Sequence, residues 1–297
     1  MLPNPFFDWP PERGPFTQSA FTLVELLIAM VVALVAIGAI YSVYICQLHS
    51  YRNEQLTSQA QQNLRGAMVI LEQEIRMAGY DPENTGQFGI VDVRRYDLID
   101  RNALNLEGQP ILSYTLDMDE NGDLDDRSGG HNREHPNFRM RNDRSKGRVY
   151  LSWNTGTSWQ PLAENIQAIG FAFAVDMDDD GRPDTWSDGP HLIWAVDSDN
   201  DNLLDTHLDT NDDGRIDTAD DADGDLRLTG ADGAALNPPV PLDRIKIVRV
   251  WLLSVSSQPL KGHLDSRSYV VGDRVIKAAP DGFAHQLLET VIEGRNL

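Results

Sequence analysis

The sequence predicts an α+β protein in which one long N-terminal α-helix packs against an antiparallel β-sheet. Three observations support this fold class. An apolar run near the N-terminus continues into an amphipathic pattern without a helix-breaking proline, short segments of strand-like composition follow it, and Asp-rich loops are inserted between those segments. At 297 residues the chain is long enough to bury a core.

The first predicted element is a membrane helix. No charged residue interrupts the chain from Leu26 to Tyr41, and with its flanking turns this run reaches the ~20 residues that span the hydrocarbon core of a bilayer. A secretory signal peptide would place a basic region directly before the run and a small-residue cleavage site after it, and the sequence shows neither. Residues 21–46 are therefore predicted to be a transmembrane segment.

The helical pattern continues beyond this segment, because no proline occurs between Pro15 and Pro82. Apolar residues recur there in steps of three and four, as in an amphipathic helix, and form a stripe of Leu64, Met68, Leu71, Ile75 and Ala78. Gly79 lies where a C-terminal cap is expected. Residues 47–79 are predicted to be the second half of one helix, which would be roughly 85 Å long at 1.5 Å per residue.

Residues 80–297 are predicted to form the globular head, because their apolar segments are short and strand-like. Phe171, Phe173 and Val175 alternate with small residues, which favours a sheet with one face on the helix. The predicted strands are 111–116, 148–153, 166–175, 191–196, 244–255 and 269–276. The tryptophans are expected to pack the sheet, and Trp186, beside an Asp-rich loop, could also act as a platform for a sugar.

Two Asp-rich segments, 117–128 and 176–188, fit Asp-x-Asp-x-[Asp/Asn]-Gly-x-x-Asp, the first nine places of an EF-hand-type calcium loop. Alternating carboxylates can fold around one ion, the glycine takes the sharp turn, and the seventh residue offers its carbonyl group. The predicted ligands are Asp117, Asp119, Asn121, Asp123 and Asp125 in the first segment, and Asp176, Asp178, Asp180 and Asp184 in the second.

Segment 197–232 repeats a similar unit with a period of twelve, and a solvated acidic run would have no reason to place an apolar residue at every eighth place. Its predicted ligands are Asp197, Asp199, Asp201, Asp205, Asp209, Asn211, Asp213, Asp217 and Asp220. Asp220 supplies the twelfth-place acid, so 209–220 is expected to be the best Ca²⁺ site, and the unit opening at Asp221, without the glycine, the weakest. Elsewhere Asp188 or Asp209 could replace the missing acid. Oxygen-only ligand sets favour Ca²⁺ over zinc or copper.

The charge of the chain points to cations as partners. The sequence has 46 acidic and 25 basic residues, for a net charge of -21, which argues against a nucleic acid partner. Residues 176–225 hold 18 aspartates against Arg182 and Arg215, which is -16 of that total. Cys46 is the single cysteine and allows no intrachain disulfide, so bound metal would be the alternative staple for the head.

Residues Phe21, Thr22, Leu23, Val24 and Glu25, followed by the apolar helix, resemble the start of a mature type IV pilin or type II secretion pseudopilin. The resemblance implies that a prepilin peptidase removes the leader, residues 1–20, after Ala20, and that the new amino group of Phe21 is methylated. The residue before the cut is usually glycine in this family, so Ala20 departs from the pattern.

Glu25 needs a partner, because an isolated carboxylate inside a membrane helix costs roughly 2.5 kcal/mol or more. The resemblance implies that Glu25 meets the amino terminus of a neighbouring subunit and sets the register of assembly. The alternative is a glutamate at a helix end that reaches the lipid headgroups.

Arg76, Ala78, Gly79 and Tyr80 at the helix end, with the closing Arg-Asn-Leu at 295–297, resemble PilW-like minor pilins. The resemblance implies a pilin-like fold and a single-pass protein of the bacterial inner membrane with a periplasmic head. The implied partners are inner-membrane lipid, the prepilin peptidase, and other minor and major pilins, which the N-terminal helix would contact. Incorporation into an extracellular pilus is a further expectation.

Three functions remain open on the sequence alone. The first is a minor pilin that primes or caps a type IV pilus, the second a minor pseudopilin of a type II secretion system, and the third a calcium-dependent adhesive module at a tip. The sequence contains no phosphate-binding glycine loop, no Gly-x-Ser-x-Gly elbow and no His-Glu-x-x-His helix, so we do not expect an enzyme.

Overall fold

The computed structural model describes residues 21–95, 108–124, 134–143, 148–155 and 158–297, without the side chains of residues 142, 143, 148 and 188. The chain divides into two units, Met1–Tyr51 and Arg52–Leu297. The predicted leader lies outside the described residues.

Helix α1 comprises Leu23–Met77. In the N-terminal unit it contains an eighteen-residue stretch that is long and apolar enough to cross a membrane, and none of that stretch is buried. In the C-terminal unit the helix buries Leu64, Ala67, Met68, Leu71 and Ile75 in a core with the sheets, and Ala60 is buried as well. The predicted apolar stripe is therefore confirmed.

Gly79 ends the helix as its position in the sequence predicts. Its φ angle is +76°, in the left-handed region that glycine adopts without strain, and its amide donates to the carbonyl of Thr115 at 2.9 Å. A Cβ at this position would lie 2.6 Å from the carbonyl oxygen of Asn296. The chain's last residues thus close against the helix end.

Thirteen strands follow in the described part of the chain, and every pair that they form is antiparallel. They are β1 Ile90–Asp92, β2 Leu112–Tyr114, β3 Asn137–Asp143, β4 Arg148–Asn154, β5 Trp159–Glu164, β6 Ile166–Val175, β7 Ala195–Val196, β8 Leu203–His207, β9 Ala235–Pro241, β10 Ile245–Val255, β11 Ser268–Val271, β12 Arg274–Lys277 and β13 His285–Glu293. Short 3₁₀ turns occur at Trp186–Asp188, Gly230–Asp232 and Leu242–Arg244.

The strands form two sheets and a separate hairpin rather than the single sheet that the sequence predicts. The first sheet has the order β1-β2-β3-β4-β5, the second has the order β13-β10-β6-β7-β8-β9, and β11 pairs with β12. The hairpin was predicted as one strand over 269–276. It turns at Gly272, whose φ angle is +64°.

Strand β6 matches its predicted bounds and has a core on each of its faces. Its larger residues, including Phe171 and Phe173, pack with the α1 stripe and the first sheet, while Ala168, Ala172 and Ala174 pack with Trp251 and the β11–β12 hairpin. The alternation in the sequence therefore separates large from small buried residues. The face away from the helix is a second core.

Candidate metal-binding loops

Five Asp-rich segments in the C-terminal unit share one local structure. We name them loop 1 (117–128, described to 124), loop 2 (176–187), loop 3 (197–208), loop 4 (209–220) and loop 5 (221–232), and count places from the first aspartate. Loops 3, 4 and 5 follow one another without a gap, and strand β8 lies inside loop 3.

All five loops take the same backbone turns. The sixth residue has a positive φ angle in each, between +66° and +84°, at Gly122, Gly181, Asn202, Gly214 and Leu226. The fourth residue is also in the left-handed region in each, at Glu120, Asp179, Asn200, Asp212 and Gly224. Loops 3 and 5, which lack the glycine, therefore adopt the conformation that the glycine permits in the others.

The carboxylates and the loop amides are hydrogen-bonded in a repeated pattern. In every loop the sixth amide donates to Oδ2 of the first aspartate at 2.8 to 3.1 Å. The fifth amide donates to the third side chain at 3.0 to 3.3 Å, and the seventh amide to the fifth side chain at 2.7 to 2.9 Å. The first, third and fifth side chains thus each accept a hydrogen bond from an amide of their own loop.

A further acid closes each loop by accepting a hydrogen bond from the amide of the second residue. These closing acids are Glu134, Asp184, Asp205, Asp220 and Asp232 for loops 1 to 5, at distances of 2.5 to 3.0 Å. In loops 2 and 3 the ninth-place aspartate is the closing acid. Asp209, which the sequence suggested as a substitute for the missing acid, therefore does not close loop 3. It opens loop 4 instead.

Two closing acids are absent from the ligands predicted on the sequence. Asp232 stands at the twelfth place of loop 5 and could have been found by counting from Asp221. Glu134 belongs to a separate segment of the chain, where no spacing connects it with loop 1.

Four groups of carboxylates have oxygens within 4.8 Å of one another and could hold a metal ion. They are Asp117, Asp119 and Glu134 in loop 1, Asp176, Asp178 and Asp180 in loop 2, Asp197, Asp199 and Asp205 in loop 3, and Asp221, Asp223 and Asp225 in loop 5. Six described aspartates that the sequence predicts as ligands belong neither to these four groups nor to the group in loop 4 that is described next: Asp123, Asp184, Asp201, Asp213, Asp217 and Asp220. Asp125 lies outside the described residues.

Loop 4 differs from the others because a histidine joins its carboxylates. Asp209 and Asp212 group with His191, whose Nδ1 lies 3.0 Å from Oδ1 of Asp212. This hydrogen bond raises the pKa of His191 above its ordinary value. The loop predicted to be the best calcium site therefore has an imidazole beside its carboxylates, and that imidazole is hydrogen-bonded to one of them.

Burial affects the pKa of the loop aspartates differently. Burial acts to raise the pKa of Asp176, but the hydrogen bonds from the amides of Gly181, Asp179 and Asp180 outweigh it, and the pKa is lowered. Burial raises the pKa of Asp197 and of Asp220. In these two positions the folded protein disfavours the charged carboxylate, and a bound cation would offset that cost.

At the N-terminus, Glu25 forms a capping box with Thr22. Its Oε2 accepts hydrogen bonds from the Thr22 amide at 2.9 Å and the Thr22 hydroxyl at 3.0 Å, and its own amide donates to that hydroxyl at 3.2 Å. Phe21 is 85% exposed. The predicted cut site at Ala20 lies outside the described residues.

Two family models match the chain. One, the prokaryotic N-terminal methylation motif, matches residues 16–41, and the other, prepilin peptidase-dependent protein B, matches residues 53–178. The chain is type IV pilin-like. The recognition made from Phe21–Glu25 is therefore confirmed, and the apolar helix and the prepilin motif fit a membrane-anchored pilin. Neither match extends past residue 178, so loops 3 to 5 of this pilin-like chain lie beyond both.

Among solved structures, a type IV-like pilin from Thermus thermophilus is similar to the pilin-like chain at 12% sequence identity and a TM-score of 0.38. The similarity covers 80% of this chain and 97% of that one. No curated protein sequence matches the chain.

Proposed function

We propose that this protein is a minor pilin of the PilW-like kind, which takes part in type IV pilus assembly in a priming or tip complex and has a calcium-stabilised head. The observation that carries the pilus role is the methylation motif at residues 16–41, followed by the prepilin peptidase-dependent match at 53–178. A chain of 297 residues with bulky acidic loops suits a low-copy subunit better than a repeating one.

In this proposal the prepilin peptidase cuts after Ala20, and Phe21 becomes the methylated amino terminus. Helix α1 anchors the protein in the inner membrane, contacts other pilins, and leaves the head in the periplasm. The Thr22 bonds hold the Glu25 carboxylate at the helix start, one turn from the new amino terminus. A neighbouring amino terminus could therefore reach it there. The role is structural rather than catalytic.

The proposal predicts the mature form of the protein. Mass spectrometry of the chain extracted from its own bacterium should show an N-terminus at Phe21 that carries one methyl group. Pili sheared from wild-type cells should contain the protein, and cells lacking it should lose pili. If those cells keep their pili and lose type II secretion, the pseudopilin alternative replaces the proposal.

The matched variants for this experiment are Glu25→Gln and Glu54→Gln, since both glutamates are exposed on α1. Glu25→Gln should be processed normally but be depleted from sheared pili, because the register contact with a neighbouring amino terminus needs the charge. Glu54→Gln should behave as wild type. Normal amounts of Glu25→Gln in pili would reject the register role.

Calcium is proposed as the ion because the loops offer oxygen donors at alternating places, which suits a hard cation that takes six to eight oxygen ligands. The first, third and fifth side chains and the closing acid would hold it. The ion would neutralise carboxylates that otherwise repel one another and would staple a head that has no disulfide.

The calcium proposal is tested by thermal unfolding of the full chain in detergent. Millimolar Ca²⁺ should raise the melting temperature relative to chelator, because each site adds about 2.7 kcal/mol when the ion is at a hundred times its Kd. Mg²⁺ should raise it less, since it demands near-ideal octahedral geometry. An identical melting curve in Ca²⁺ and in chelator would reject the proposal.

A further inference from the structure

A cavity of about 660 Å³ lies beside loop 2 in the C-terminal unit. One wall is the end of loop 2, from Thr185 to Ser187, and the other is strand β9, at the edge of the second sheet. The volume is in the range of sites that bind small molecules. Neither the pilus role nor the metal sites account for this cavity.

The prolines of β9 limit what can occupy the cavity. Pro238, Pro239 and Pro241 line it and have no amide hydrogen, so this edge cannot form a regular hydrogen-bond ladder with an added peptide strand. Their rings instead offer rigid apolar surfaces. The wall therefore suits a compact molecule rather than an extended chain.

Trp186 provides a fixed aromatic surface on the opposite wall. Its ring stacks on His207 with centroids 4.6 Å apart, and its amide donates to the carbonyl of His191 at 2.9 Å. His207 is itself wholly buried and accepts a hydrogen bond from the Trp194 amide at 3.0 Å. The indole is thus held in place by the core.

Arg244 is the one charged residue among the described residues that line the cavity. Its Nη1 lies 2.7 Å from Oδ1 of Asp179, but the Asp179 side chain is 77% exposed, and such surface pairs are weak. A planar guanidinium binds carboxylates with two parallel hydrogen bonds, so an incoming carboxylate can replace Asp179. Ser187 and Asn237 add hydroxyl and amide groups nearby.

We propose that this cavity binds an acidic sugar, with the sugar ring held between Trp186 on one wall and the proline rings on the other, and with Arg244 on its carboxylate. A free hexuronic acid and the end residue of an acidic polysaccharide share this chemistry. The site goes beyond the pilus role and does not require it. It would give the head a surface-recognition function of its own.

The test uses the full chain in detergent and saturation-transfer NMR titrations with glucuronate, a glucuronate oligomer and uncharged glucose. Wild type should bind glucuronate at least tenfold more tightly than glucose. Tighter binding of the oligomer than of the monomer would identify a polysaccharide end as the source, and equal binding a free acid. The titrations are made both in Ca²⁺ and in chelator. Binding of glucuronate in either condition supports the sugar site, so a failure of the metal proposal would not count against it.

Three variants locate the site. Arg244→Gln should weaken glucuronate binding about tenfold and leave glucose binding unchanged, because it removes only the carboxylate contact. Asp179→Asn should tighten glucuronate binding by removing the competing carboxylate. Arg65→Gln, at an exposed arginine of α1 outside the cavity, should bind as wild type. The inference is overturned if wild type does not bind glucuronate, if glucose binds equally well, or if Arg244→Gln has no effect.

Discussion

Asp265 is a carboxylate just before β11, and only 1% of its side chain is exposed. It accepts hydrogen bonds from Nε of Arg267 at 3.0 Å and from the hydroxyl of Tyr269 at 2.8 Å, and Nδ1 of His285 lies 3.4 Å away. The Arg267 side chain holds the pKa of Asp265 well below its usual range, and burial raises the pKa of Tyr269 to about 12. The charged carboxylate is therefore the form that stabilises the fold.

Asp265→Asn should lower the free energy of unfolding at neutral pH by about 1–3 kcal/mol, because charge-assisted hydrogen bonds are lost. A carboxyl group with a lowered folded pKa stabilises the protein fully above its unfolded pKa of about 3.9, and this stabilisation is lost progressively as the pH falls from that value through the lower folded pKa. The difference between wild type and variant should therefore shrink below about pH 4. Urea unfolding over a pH series measures it.

The control for this series is Asp243→Asn, at an exposed aspartate in the turn before β10. It should change stability little at any pH. A difference between wild type and Asp265→Asn that stays constant with pH would contradict the assigned charge state.

At the scale of the element, the sequence predicts the open part of each calcium-type loop, but it predicts the closing acid only where that acid lies at the ninth or twelfth place. Places one, three and five follow a local spacing, and the shared hydrogen bonds confirm that they are alike. The closing acid depends on the fold, since Asp205 closes loop 3 from the ninth place inside β8, and Glu134 closes loop 1 from another segment. For Glu134, no spacing in the sequence contains that information.

Asp232→Asn tests whether loop 5 binds an ion. Its carboxylate accepts from the amides of Ala222 at 2.9 Å and Thr229 at 2.7 Å, as Asp220 does in loop 4 from Thr210 and Asp217. The variant should show a smaller rise in melting temperature with Ca²⁺ than wild type, because one ligand charge is removed from one site.

The matched control is Asp281→Asn, at an exposed aspartate that also accepts a backbone amide but lies outside the loops. Its calcium-dependent rise should equal that of wild type. An undiminished rise in Asp232→Asn would contradict the proposal that this closing acid is a calcium ligand.

Most strands of strongly apolar composition were predicted, although the predicted strand 191–196 is a strand only at Ala195–Val196. Strand β6 is buried on both faces and was predicted to the residue. Strand β9 has three prolines, which argue against a strand everywhere except at a sheet edge, and an edge position is visible only in the assembled sheet. The Gly272-Asp273 turn between β11 and β12 is a local hairpin signal that the sequence does contain.

At the scale of the whole molecule, acidic charge opposes folding when no cation is bound. Residues 176–225 carry -16 of a net charge of -21, within one part of the head. Without calcium, added sodium chloride should raise the melting temperature, because salt screens repulsion between exposed carboxylates. With calcium bound, the same salt should have a smaller effect.

Melting curves over a salt series, with chelator and with Ca²⁺, measure this effect. Equal salt dependence in both conditions would mean that the ion does not relieve the repulsion.

The α+β fold class could be predicted because helical periodicity is local. The division of the strands into two sheets could not be predicted, because it depends on which strands pair. Strand β10, for example, pairs with β6 and with β13, which lie in separate parts of the chain. The second sheet also has a core on each face, since β6 contributes Phe171 and Phe173 to one core and Ala172 and Ala174 to the other.

The pairing of β6 with β10 places Val175 opposite Ile245, although residues 176–244 lie between them. Closing such a long stretch of chain costs conformational entropy, and each doubling of its length adds about 0.6 kcal/mol. Loops 2 to 5 all lie in this stretch, so ions bound in them would shorten the flexible chain that must close. The rate of folding, and with it the time for which two apolar strands can aggregate, would then depend on calcium reaching the chain before the sheet forms.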